Sequence, residues 1–284
     1  MINIETFFRI YFLAGRKTCI LIFMAIVCSC VSIFCQAQDM ISDILTNNEI
    51  RVGITLNCPP FAFTDEEGKI SGFNVDIANE LADMLNVKLK IVEISPEELL
   101  ESPDCDILLS NLPRTLELQS LFRFSEPYFQ SGQSIIVSEK NLSINEYEEL
   151  DTYGKRIVVV DGTAGKQVAN KKFKKASIEI VRNEDEALSM LLRERADAFV
   201  YDRYLAEYIC LSHPEWKVLS GQLSHDFYCI LFPRKSEGST GTQDLKSEEW
   251  YCLPWFNAFI LELKLSKRYV EIFNRWFGPD KALR

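Results

Sequence analysis

The sequence predicts an α/β protein made of two α/β lobes. Three observations predict this fold class. Strand-like and helix-like segments alternate over residues 50–110, and such alternation marks sheets with helical crossovers. The alternation restarts at residue 157 and runs to 202. A last strand-like run, residues 227–232, is too short to form a domain and is expected to return and complete the first lobe. A chain of 284 residues can bury a sizeable core in either one large domain or two modest ones.

Residues 50–56 (IRVGITL) are β-branched enough for a strand. Phe61, Ala62 and Phe63, then 64–69, then 70–73 read as a hairpin that turns at Glu67-Gly68. Val75, Ala78, Leu81, Ala82 and Leu85 recur at helical spacing, which predicts an amphipathic helix over 75–86. A strand at 87–94, a short helix at 97–100 and a buried strand at 107–110 follow. The second run opens with residues 157–160, a continuous apolar stretch suited to a strand covered on both faces. Gly162-Thr163-Ala164-Gly165 leads into a lysine-rich helix, and 178–181 is a further strand. Asn183 and Glu186 form a capping box for a helix reaching Arg193. Residues 198–201 form a strand that ends at Asp202. The polar, Gly/Ser/Thr-rich segment 236–249 reads as a surface loop. A helical tail is expected from Pro254 to Phe277, stopped by Gly278-Pro279.

The net charge is -10. The densest basic group is Lys171, Lys172, Lys174 and Lys175, a solvated helix face. Nucleic-acid binding is therefore not expected, because phosphate contacts need clustered Lys and Arg. Arg16 and Lys17 precede an uncharged run, residues 18–34, and Cys35-Gln36-Ala37 offers small residues at a cleavage site. Residues 1–37 read as a secretory signal peptide or a retained membrane anchor. Val27-Cys28-Ser29-Cys30 also loosely resembles a lipidation site. Removal of this segment takes away three basic residues and one acidic residue, leaving -12. Of nine cysteines, Cys58, Cys105, Cys210, Cys229 and Cys252 remain beyond it. An odd number in an oxidising compartment leaves at least one thiol free or paired between chains. Their spacing forms no zinc pattern, and no metal or cofactor is expected.

Four stretches carry a resemblance. They are Ile50-Arg51-Val52-Gly53-Ile54 with Pro59-Pro60-Phe61-Ala62-Phe63; Gly72-Phe73-Asn74-Val75-Asp76-Ile77-Ala78; Phe124-Ser125-Glu126-Pro127-Tyr128 with Ser131-Gly132; and Arg195-Ala196-Asp197-Ala198 to Asp202, with terminal Trp276-Phe277-Gly278. In this order they resemble the bacterial solute-binding proteins of family 3, the type II periplasmic binding proteins that serve mainly amino-acid transporters. The resemblance spans about residues 50–278. It implies two lobes joined by a hinge, with a ligand cleft between them. The crossings fall near Ser131 and Leu223, which makes lobe one residues 38–130 plus 225–284 and lobe two residues 131–224.

The resemblance also implies site residues. The family holds an α-amino acid with an Arg for the carboxylate and an acid for the ammonium. A planar guanidinium suits a carboxylate. Here the matching segment runs from Ser110 and Asn111 through Pro113 and Arg114 to Leu118. Leu118 stands where the Arg is expected, and Pro113 where a hydroxyl is usual. Arg114 is either a substitute clamp or a solvated surface residue. Asp202 is the ammonium partner or the N-cap of a helix over 203–211. Thr163 opens either an anion-binding helix start or an ordinary loop. Cys58 stands where an aromatic is frequent, and Pro96 lies near the place of another. Phe61 and Phe63 are cleft wall or hairpin core, and Asp76 supports a helix start.

These observations point to a monomeric periplasmic protein that captures a small polar, amino-acid-like solute. It would deliver that solute to an ABC transporter permease in the inner membrane. The alternative is a sensory or partner-binding protein that kept the fold and lost the clamp. Catalysis is not expected: no nucleophile–base spacing or phosphate loop is visible.

Overall fold

The computed structural model describes residues 40–95, 98–100, 103–116, 118–140, 144–233 and 248–278. The expected export segment, Pro96 and most of the 236–249 loop lie outside the described residues. Among those described, no helix is long and apolar enough to cross a membrane.

The chain opens with α1 (Met40–Asn47), β1 (Glu49–Ile54), and the short strands β2 (Phe63–Thr64) and β3 (Ile70–Ser71). Then come α2 (Phe73–Leu85), β4 (Lys88–Glu93), β5 (Ile107–Pro113), β6 (Phe122–Ser131) and β7 (Gln133–Ser138). The second run is β8 (Arg156–Val160), α3 (Ala164–Lys172), β9 (Ser177–Val181), α4 (Glu184–Leu192), β10 (Ala198–Asp202), α5 (Arg203–Ser212) and β11 (Trp216–Val218). The return consists of β12 (Asp226–Pro233), α6 (Glu248–Leu265) and α7 (Lys267–Phe277).

Two five-stranded sheets result, ordered β4-β1-β5-β12-β6 and β11-β7-β10-β8-β9. The two lobes of the expected fold class are built on them. The chain leaves the first sheet between Ser131 and Gln133 and returns between Val218 and Asp226. In the first lobe β1 pairs in parallel with β4 and β5, while β12 runs antiparallel to β5 and β6. The return strand thus completes the first sheet from within.

Each lobe buries a different kind of core. In the first, Phe61, Phe73, Phe129, Tyr228, Phe273 and Phe277 pack with α2 and α7 on one face of the sheet. Phe129 has ring partners 5.0–5.9 Å away in Phe61, Phe73, Tyr204, Tyr228, Phe273 and Phe277. Such ring pairs add about 0.5–1.5 kcal/mol each beyond buried area. In the second lobe Ile135, Val137, Ile157, Val159 and Val200 face one side of the sheet, and Ile136, Val158 and Phe199 face the other. A strand covered on both faces reads as a continuous apolar run, as β8 does.

Several expectations need correction. Helix α6 begins at Glu248, so Pro254 lies inside it rather than at its start. The buried stripe Cys252, Phe256, Phe259, Ile260 and Leu263 spans the proline and keeps the helix against the sheet. Ser266 then ends α6 and caps α7, its hydroxyl accepting from the Tyr269 amide at 3.3 Å. Asn183 accepts from the Glu186 amide at 3.0 Å. The Glu186 carboxylate, however, takes the Arg182 amide at 2.9 Å, so the box is not reciprocal. Asp76 lies in the first turn of α2, as expected, and it also accepts from Arg275 and from the Trp276 indole, each at 2.8 Å, which ties α2 to α7. Phe61 is fully buried core, and Phe63 packs edge-on to Trp276.

Candidate functional site

The two sheets meet where β6 passes into β7 and the chain returns to β12. Gly132 sits at the first crossing, and a Cβ there would lie 2.0 Å from the Ser224 carbonyl oxygen. Only glycine lets the two segments pass this closely. Around the crossing the Gln133 amide donates to Ser224 Oγ at 3.0 Å, and the Gln133 side chain to Asp226 Oδ2 at 2.9 Å. The Leu223 amide donates to the Gln133 carbonyl at 2.7 Å.

Asp202 ends β10 beside this crossing and is 5% exposed. Oδ1 accepts the Tyr204 and Leu205 amides at 3.0 and 3.3 Å, capping α5. Oδ2 accepts the Ser131 hydroxyl at 2.6 Å and the Tyr228 hydroxyl. Ser131 and Tyr228 come from the first sheet, so this carboxylate links the lobes. Burial raises its pKa, against the hydrogen bonds from Ser131, Tyr228, Leu205 and Tyr204. Two residues on, Tyr204 places its ring 4.8 Å from Phe277, within the first lobe's core.

A second carboxylate lies nearby. Glu184 opens α4 and accepts the Tyr201 hydroxyl at 2.7 Å. Burial raises the Glu184 pKa, the Tyr201 bond offsets part of this, and the charge on Asp185 adds to it. Cys58, in the loop after β1, faces these groups across the lobes: burial pushes its thiol up to about 11, and the charges of Glu184 and Asp202 add to that. A thiol so protonated is a poor nucleophile.

Cys58 follows the carboxyl end of β1, beside which β5 runs in parallel. The last paired residues of the two strands are Ile54 and Leu109, and Thr55 and Ser110 stand one step further on. Both hydroxyl oxygens are buried and have no hydrogen-bond partner among the described residues. Buried hydroxyls are usually satisfied, so these two oxygens keep acceptor and donor capacity that the protein itself does not use. Asn111 follows and accepts from Asn74 at 3.2 Å; Asn74 in turn accepts the Tyr128 hydroxyl at 2.9 Å. This network fixes the Asn111 amide.

Thr163 caps no amide with its side chain; its hydroxyl donates to the Val160 carbonyl at 2.7 Å. Gly165 in the first turn of α3 runs close to the crossing, since a Cβ there would lie 3.1 Å from Gln133 Oε1. The helix start therefore reaches the crossing. Arg114 is exposed, its amide donates to the Phe227 carbonyl at 3.1 Å, and its charge acts on the Cys229 thiol. No described contact joins it to Asp202. Leu118 lies in a single helical turn, Leu118–Ser120, and packs beside Phe122 and Leu108.

The structure thus sets Asp202 at the crossing with Cys58 in the loop after β1, places Ser110 and Asn111 within β5, and brings the helix start after Thr163 to Gln133. Sequence reasoning missed Thr55, Glu184 and Tyr201. Glu184 sits beside a capping residue, which explains any acid there without a ligand. Thr55 lies inside a strand-like run and carries no motif signal.

Comparison with known proteins agrees with this arrangement. A family model described as bacterial extracellular solute-binding proteins, family 3, matches residues 50–279. Cyclohexadienyl dehydratase of Pseudomonas aeruginosa is 30% identical over 241 residues, or 83% of this chain and 80% of the dehydratase. The L-arginine-binding protein of the same species is 30% identical over 250 residues, or 81% of this chain and 88% of that protein. The crystal structure of an ancestral amino acid-binding protein, a precursor of cyclohexadienyl dehydratase, superposes with a TM-score of 0.69 at 27% identity, over 84% of this chain and 99% of the other. With a crossing-strand fold and a family match over most of its length, the chain belongs to the bacterial extracellular solute-binding proteins of family 3.

Proposed function

We propose that the protein captures a small polar, amino-acid-like solute between its lobes and presents it to an ABC importer. The observation that carries this reading is the pair of crossing segments at Gly132 and Ser224, with Asp202 bonded across them. A narrow crossing between two sheets permits hinge closure on a ligand. In this reading the lobes are residues 38–130 plus 225–284 and residues 131–224. Thr55, Ser110 and Asn111 offer polar contacts from the first lobe, and Thr163, Glu184 and Asp202 from the second. Residues 1–37 direct export to the periplasm or hold the protein at the membrane, the permease lies in the inner membrane, and the protein acts as a monomer.

Binding rather than turnover is supported by the state of the site. The Asp202 carboxylate is held by two hydroxyls and two amides, and the Cys58 thiol is protonated by its burial. Thermal melting of the purified protein against amino acids, organic acids and polyamines tests the proposal. A ligand at 100 times its Kd adds about 2.7 kcal/mol of stability, which is a visible shift. Absence of any shift, or turnover of a cyclohexadienyl substrate to an aromatic product, overturns it.

A further inference from the structure

We infer that the cleft selects a solute of net positive charge and that Glu184 reads that charge. The inference rests on the solute-capture reading above and names its ligand class.

Glu184 accepts the Tyr201 hydroxyl at 2.7 Å, and Tyr201 precedes Asp202 in β10 and packs against the first lobe's core, which sets both carboxylates at the lobe boundary. Their partners are hydroxyls and amides: Tyr201 for Glu184, and Ser131, Tyr228, Tyr204 and Leu205 for Asp202. Among the described residues neither carboxylate has an ion pair with Lys or Arg. Neighbouring cations are committed elsewhere. Arg203 bonds Glu207 at 3.0 Å and Lys166 bonds Asp161 at 2.6 Å. Buried carboxylates without a cation are costly, and a solute ammonium or guanidinium would relieve that cost.

A second observation points to a ligand here. Ser110, 3% exposed, has an unpartnered hydroxyl in the middle of β5, beside β1, the strand that leads to Cys58. The carboxylates lie on the second lobe, and Arg114, the basic residue just after β5, is exposed with no described contact to either of them. Asp202 is already committed to the hinge, which leaves Glu184, with its single hydroxyl partner, as the carboxylate free to accept from a cation. The shared chemistry is an ammonium or guanidinium group, whether on a basic amino acid or on a diamine.

Isothermal titration of the purified protein with L-arginine, L-lysine, putrescine, L-glutamine and L-glutamate tests this. The cations should bind about tenfold or more tightly than L-glutamine, since a charge-assisted bond contributes about 1.5–3 kcal/mol. Binding of arginine and lysine alone identifies a basic amino acid; equal binding of putrescine identifies an amine read without its carboxylate. Glu184→Gln should weaken the cations by about ten- to a hundredfold and L-glutamine by clearly less. Preference for L-glutamine or L-glutamate, or unchanged cation affinity in Glu184→Gln, overturns the inference while solute capture stands. No binding by any of the five, together with a flat melting panel, overturns solute capture itself.

Discussion

The two lobes solve the same topological problem with different materials. The first is welded by rings: Phe61, Phe73, Phe129, Phe273 and Phe277 join β-strands to α2 and α7. The second is built from small β-branched side chains on both faces of its sheet, among them Val137, Ile157, Val158 and Val159. Charge divides along the same line. The first lobe carries the hydroxyls of Thr55 and Ser110 and the Asn111 amide, whereas the second carries the carboxylates of Glu184 and Asp202. The contrast teaches that the aromatic core and the buried carboxylates fall on opposite sides of the crossing.

The largest expected effect breaks the base. Phe129→Ala should cost about 3–5 kcal/mol of stability in urea unfolding, because the ring is 1% exposed and many partners cannot collapse into its space. A loss below about 1 kcal/mol would show that the aromatic cluster repacks freely. Next comes the link between the lobes. Asp202→Ala should cost about 2–4 kcal/mol, since it removes the α5 cap and strands the Tyr228 and Ser131 hydroxyls. The same variant should lose solute binding, read by calorimetry on the folded fraction. Ile157→Val in the second lobe should cost only about 0.5–1.5 kcal/mol.

A subtler effect follows from the carboxylates. Burial raises the pKa of both Asp202 and Glu184, so the folded protein holds protons that the unfolded chain releases. Stability of the ligand-free protein is therefore expected to fall as pH rises from the ordinary carboxylate range through the raised values. The groups facing Asp202 are Ser131 on β6, Tyr228 on β12, Tyr204 on α5 and Cys58. Those facing Glu184 are Tyr201 on β10, Asp185 on α4 and Cys58. None is a cation. A cationic solute should restore stability over the same window, so its stabilising effect grows with pH. Melting curves at several pH values with and without L-lysine check the sign.

Much of this fold was legible in the sequence. The β-branched runs of β1 and β8 and the helical spacing of α2 announced themselves. Strand β6 did not, because Glu126 and Pro127 interrupt it; it is an edge strand of its sheet, where proline is tolerated. The short apolar run of β7, immediately after the crossing, was hidden with it. Asp202 was legible through its place at a strand end, but its bonds to Ser131 and Tyr228 join residues 71 and 26 positions apart, which no local pattern reveals. Glu184 was hidden for a related reason: it faces Cys58 only once the lobes meet.

The central claim is that one solute is held by both lobes at the crossing. Hydrogen–deuterium exchange with the solute that shifts melting most tests it directly. The account predicts slowed exchange at both faces together: residues 55–58 and 110–111 in the first lobe, and 163–166, 184 and 201–205 in the second. Protection confined to one lobe, or centred on the separate concavity of about 380 Å³ beside Tyr147 and Gly221, would contradict it.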